Sequence, residues 1–274
     1  MLLPEVRAAD ASPEVRALYD DICSVMDVPF VNLIHRYLAT IPGALEYAWS
    51  LGREACLDGR LDRWVETIAS NGRLEETSAP LHSSLSNEAG AAALRIIDVY
   101  NRQNPRNVIV FSALLAMLRR HDLTASDDSP ARFPSHDARV ESTIPDIPKF
   151  SELDDRTQKL LLELASLQGL EGRGLVPSLY LHLAVVPGAI AVAYDAIVQL
   201  LRDGIIAKRV HLVRASASSL AGALAPASRT LPRTVYDRRN EIADVVASFT
   251  ERAIPSMVVI GNVLARRFSS KHSA

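Results

Sequence analysis

Cysteine is scarce in this chain. Cys23 and Cys56 are the two it has, and no disulfide framework can be built from them. Neither sits in a CxxC pair, which removes the redox dithiol and the common zinc motif. Aromatic residues make up 5% of the sequence, so Leu, Val, Ile and Ala must fill the interior of a chain that is 48% apolar. An excess of one charge is missing too. There are 30 basic against 32 acidic residues, a formal net charge of -2, which argues against nucleic acid or an anionic membrane as the main partner. No metal-ligand spacing, glycine-rich phosphate loop or nucleophile elbow occurs, so no metal and no cofactor is expected. The first ten residues carry Glu5, Arg7 and Asp10 and no apolar stretch of signal-peptide length. The expectation is a cytoplasmic protein.

One stretch, Val176 to Tyr194, contains no Lys, Arg, Asp or Glu. Pro177 and the pair Pro187-Gly188 interrupt it, and its counterpart earlier in the chain carries Arg36 and Glu46. Both segments are expected to be buried helix pairs and neither a membrane span.

That counterpart exists because the sequence repeats. Phe30 to Ala44 reads against Leu175 to Ala189 at a constant offset of 145 residues. Val31, Leu38, Ala39, Pro42, Gly43 and Ala44 recur as Val176, Leu183, Ala184, Pro187, Gly188 and Ala189. Asp58-Gly59 recurs as Asp203-Gly204. Near the ends the offset is 150, where Pro105 meets Pro255 and Leu114 meets Leu264. Ordered matches of this kind point to a duplicated unit. The expected organisation is a first repeat in 1–121, a linker in 122–150 rich in Asp, Ser and Pro, and a second repeat in 151–274. The two halves are expected to form one body about a pseudo-twofold axis, with a small-molecule cleft between them and the option of a homodimer.

Each unit reads as helices. Val15, Leu18, Tyr19, Ile22, Val25 and Met26 follow helical spacing after the start signal Ser12-Pro13. Pro42-Gly43 and Asp58-Gly59 punctuate the next helices. Pro105 reads as the first residue of a further helix, with Asn104 as its cap. A loop-like stretch is expected at 225–233. No alternating run suggests a sheet, so the fold class is all-α.

With the repeat in place, several motifs become familiar. Val28-Pro-Phe-Val31, Arg36-x-Leu-Ala-Thr-x-Pro-Gly43, Ala48-Trp49 and the stretch Tyr100 to Leu114 with its Asn104-Pro105 pair resemble the group I 2-haloacid dehalogenases, the DehI family. The likeness extends over most of the chain. That family is similar in fold to the alkylhydroperoxidase-D superfamily, whose CxxC pair has no equivalent here. The resemblance implies an all-α fold and hydrolysis of 2-haloalkanoic acids by direct attack of an activated water. Such a reaction needs a carboxylate base and a dry pocket. Residue by residue, it implies that Phe30 and Leu33 are apolar pocket walls, that Asn104 is the water-holding asparagine, and that Ser178 is a pocket serine. Asn107 falls where the family has a tyrosine. Leu179 falls on the catalytic aspartate, and a leucine neither accepts a proton nor holds a water. No Asp or Glu occurs between Arg173 and Val192 to replace it.

Each candidate has a plainer reading. Leu179 repeats as Ile34, which is how a packing position looks. His182 shares a helix face with Ser178 and Leu179 and is a candidate substitute base, or a hydrogen-bonded histidine at a helix interface. His35 and Tyr180 occupy equivalent positions one step away. Arg36 is either a carboxylate anchor or a surface arginine. Three functional readings follow: a dehalogenase-like protein with a small-organic-acid pocket and no hydrolysis, an active hydrolase using His182, or an interaction protein with a filled pocket.

Overall fold

A computed structural model describes residues 3–75, 85–128, 133, 144–172, 174–226 and 228–269. Helix α1 (Pro13–Met26) starts where Ser12 accepts a hydrogen bond from the Val15 amide, with proline at the first helical position. It ends at Asp27 in the left-handed conformation. A short helix α2 (Leu33–Leu38) follows, then α3 (Ala44–Leu57) and α4 (Arg60–Asn71). Helix α5 (Asn87–Leu118) is the longest, capped by Ser86 through the Ala89 amide. In the second half come α6 (Asp155–Leu167), α7 (Ser178–Leu183), α8 (Ala189–Arg202) and α9 (Ile205–Ala221). Then follow α10 (Arg233–Asp237), α11 (Arg239–Ser248) and α12 (Ile254–Ser269).

The repeated punctuation does the same job twice. α3 begins behind Gly43 at φ 81° and α8 behind Gly188 at φ 76°, a left-handed turn that an L side chain resists. α2 and α7 are six residues each, and α3 and α8 are fourteen each. α4 lies against α9 and α5 against α12. The side chain of Asn71 donates to Ser216 Oγ at 2.7 Å, joining two positions 145 residues apart.

Three expectations need correction. Pro105 does not open a helix: it lies inside α5, which runs through it, and Asn104 is therefore no cap. A proline there removes one intrahelical hydrogen bond and costs about 3 kcal/mol in an ordinary helix. Burial of α5 on most of its circumference offsets that loss; Ile96, Ile97, Val108 and Ile109 are all fully buried. Arg36 is not on the surface: it is buried, pairs with Glu5 through Nε at 2.6 Å and donates to the Val31 carbonyl. The chain is also not wholly without strands. Strand β1 (Thr124–Ser126), in the expected linker, pairs in parallel with β2 (Thr230–Pro232), in the expected loop, with Thr124 opposite Thr230. This three-residue ladder leaves the class all-α. Most of 129–143 lies outside the described residues.

The α11–α12 junction is a π-turn, Phe249–Ala253, followed by Ile254 and Pro255. A proline at that point denies a carbonyl one turn back its partner, and the wide turn accommodates the mismatch. Thr250 and Ser248 hydroxyls donate to the carbonyls of Val246 and Asp244 beside it. Among the described residues no helix is long and apolar enough to cross a membrane.

Candidate functional site

Between the halves lies a small cavity of about 40 Å³. From the first half it is lined by Asn32, Leu33 and Ile34 at the start of α2 and by Tyr100 and Asn104 on α5. From the second half come Val176, Ser178 and Leu179 at the start of α7, and Phe249, Ala253 and Met257 around the π-turn. The wide turn matters here, because it places both of its end residues on the cavity wall. The lining is mostly apolar, and no Asp, Glu, Lys, Arg or His belongs to it among the described residues.

Leu33, Asn104, Ser178 and Leu179 thus come together as the sequence reading expects, although they are far apart in the chain. Leu179 is fully buried. Phe30, His182 and Asn107 do not line this cavity. Phe30 lines a neighbouring surface groove with Arg7, Arg16 and Asp146, and its ring lies 5.3 Å from that of Tyr100 and 5.4 Å from that of His182. Asn107 is buried within α5, and its amide nitrogen has no hydrogen-bond partner among the described residues.

His182 has both ring nitrogens engaged. Nε2 is 2.6 Å from the Pro145 carbonyl, and Nδ1 is 3.5 Å from the Tyr100 hydroxyl. A carbonyl only accepts, so Nε2 carries the proton and Nδ1 accepts from Tyr100. Burial holds the His182 pKa below the usual histidine range; the Pro145 hydrogen bond and Asp146 pull the other way. Burial also pushes the Tyr100 phenol well above its ordinary value. Both rings are neutral at pH 7, and Tyr100 stands between the histidine and the cavity.

Asn32 and Tyr100 are the polar lining residues that sequence reasoning missed. Asn32 precedes an apolar helix and therefore passes for a cap, yet its side chain makes no capping bond. Its Nδ2 instead donates to Asn104 Oδ1 at 3.3 Å. The repeat register offered one signal: the position answering Asn32 in the second half is Pro177, so a polar group enters on one side only. After this bond Asn32 Oδ1 and Asn104 Nδ2 remain buried without a partner among the described residues. Each such orphan commonly costs about 1–3 kcal/mol, and its usual relief is a water or a ligand. Asn104 adds a local penalty, because the residue before a proline disfavours helical backbone.

Among the described residues no group of His, Cys, Asp and Glu is placed to hold a metal ion. Cys23 and Cys56 are free thiols whose pKa values burial pushes up to about 12, so neither is a ready nucleophile.

The all-α fold matches that of solved D-2-haloacid dehalogenases. A solved D-2-haloacid dehalogenase mutant superposes with a TM-score of 0.75 at 17% identity, covering 97% of this chain and 96% of that one. The complex of a D-2-haloacid dehalogenase with L-LA gives 0.76 at 16% identity over the same shares. In sequence the chain is similar to the configuration-inverting 2-haloacid dehalogenase of Alcaligenes xylosoxydans xylosoxydans, 26% identical over 117 residues. That match covers 40% of this chain and 40% of that protein. No family model matches the sequence. The chain is DehI-like, as its motifs suggest.

Proposed function

We propose that this chain keeps a dehalogenase-type pocket for a small organic acid and has lost the hydrolytic step. The observation that carries the reading is the composition of the cavity. Leu179 stands at the position where the family likeness calls for a water-activating aspartate, and no carboxylate lines the cavity among the described residues. A general base commonly supplies about 10²–10⁴ in rate, and displacement of halide by an unactivated water is slow. Asn104 remains on the wall, so the means of holding a water survives without the means of deprotonating it.

The competing reading, with His182 as substitute base, has the geometry against it. His182 lies behind Tyr100, and its acceptor nitrogen already takes a hydrogen bond from that hydroxyl.

The test is halide release from D- and L-2-chloropropanoate by the unmodified protein. The expected rate is close to the uncatalysed background. Clear chloride release that disappears in His182→Ala would overturn the proposal and establish the histidine as base.

A further inference from the structure

The cavity that the proposed function rests on has no charge to meet a carboxylate. Its lining holds no Lys, Arg or His among the described residues, and Arg36 of α2 is committed elsewhere: it pairs with Glu5 and donates to the Val31 carbonyl. What the lining does hold is a pair of amides. Asn32 and Asn104 are 7% and 3% exposed and bond to each other once. That single bond leaves one acceptor, Asn32 Oδ1, and one donor, Asn104 Nδ2, both buried and both without a partner among the described residues. Turning both amides over exchanges the roles and still leaves one donor and one acceptor. Tyr100 and Ser178 bring hydroxyls to the same wall, and every other side chain named on the wall is apolar.

We infer that the cavity binds an uncharged head group carrying one donor and one acceptor on a short apolar chain: a primary carboxamide, or a short carboxylic acid in its protonated form. The carbonyl oxygen of such a head accepts from Asn104, and its N–H or O–H donates to Asn32 Oδ1. An ionised carboxylate answers only half of this pattern. It has no proton for Asn32 Oδ1, and its charge loses water without gaining a counter-ion. The chain's apolar part then lies against Leu33, Leu179 and Met257. Selectivity of this kind follows from the absence of a cationic side chain on the wall, among the described residues, together with the unpartnered acceptor of Asn32.

Titration calorimetry on the full chain at pH 7 tests it, with 2-chloropropanamide and 2-chloropropanoate as probes. The amide is expected to bind more tightly than the carboxylate by about tenfold or more, given the desolvation cost of an unpaired charge. Lowering the pH towards 5 should tighten the acid and leave the amide unchanged. Asn32→Val, which keeps a side chain of similar width, should erase the difference between the two probes, with circular dichroism confirming an intact fold. Should that variant fail to fold, the pH dependence of the unmodified chain decides alone. Equal or tighter binding of the carboxylate at pH 7 would overturn this inference and leave the organic-acid pocket standing. Binding of neither probe would overturn both.

Discussion

Single side chains carry most of the chemistry here, and one of them also reports on stability. His35 is fully buried on α2, with its ring edge-on to Phe111 at 5.0 Å. Burial lowers its pKa to about 3; the Arg36 charge adds to the shift and a hydrogen bond at Asn32 opposes it. A histidine kept neutral in the fold binds fewer protons than its unfolded counterpart, whose pKa is 6.5. Its contribution is therefore fully present above pH 6.5 and is lost as the pH falls towards 3. His182, also shifted down by burial, acts in the same direction. Each such histidine steepens the loss by up to about 1.4 kcal/mol per pH unit. The melting temperature should fall between pH 7 and pH 5, and the slope should be shallower in His35→Leu. A melting temperature that is flat over this window in both proteins would contradict the buried neutral ring.

At the scale of elements, α1 and α3 are pinned by a buried carboxylate. Asp21 is fully buried and accepts from Trp49 Nε1 at 2.6 Å and from Arg53 at 2.9 and 3.1 Å. Removing one partner of such a pair leaves the other uncompensated, at a cost of about 3–5 kcal/mol. Chemical denaturation of Asp21→Ala should show a loss of that size, and a loss under 1 kcal/mol would mean the pair is nearly neutral. The elements also explain which parts of the sequence were legible. Pro-Gly and Asp-Gly mark the starts of α3, α4, α8 and α9 because the backbone needs a positive φ there, whatever surrounds it. Asn104-Pro105 was not legible, because the same dipeptide starts a helix in one setting and is absorbed by a well-buried one in another. Packing along α5 decides between them, and no local signal encodes it. The Asn32 side chain was hidden for a related reason: a cap residue and a cavity residue look alike until the partner 72 residues away is in place.

For the molecule as a whole, the duplication remains the organising proposal. The equal lengths and spacing of α2–α3 and α7–α8, and the Asn71–Ser216 bond between positions in register, support it. One rotation close to 180° should carry 33–71 onto 178–216 with Asn71 and Ser216 beside the axis. Unrelated helix directions in the two halves would contradict it. On this view the cavity sits where two similar halves differ. Asn32 faces no polar equivalent at Pro177, and Asn104 and Leu179 come from different units. The all-α class was readable from the helical spacing because that rests on many positions. The chemistry was harder to read, because it depends on a few residues at which the halves diverge.

If a dehalogenase-type cavity survives here without its base, putting the base back should bring back the reaction. Chloride release from D- and L-2-chloropropanoate should be measured for the unmodified chain and for Leu179→Asp side by side. Background release is expected from the first and measurable release from the second. The optimum of Leu179→Asp should lie at raised pH, since an apolar cavity pushes a new carboxyl group up. Rapid release by the unmodified chain, or a folded Leu179→Asp with no release at any pH, would contradict the loss of the base as the reason for inactivity.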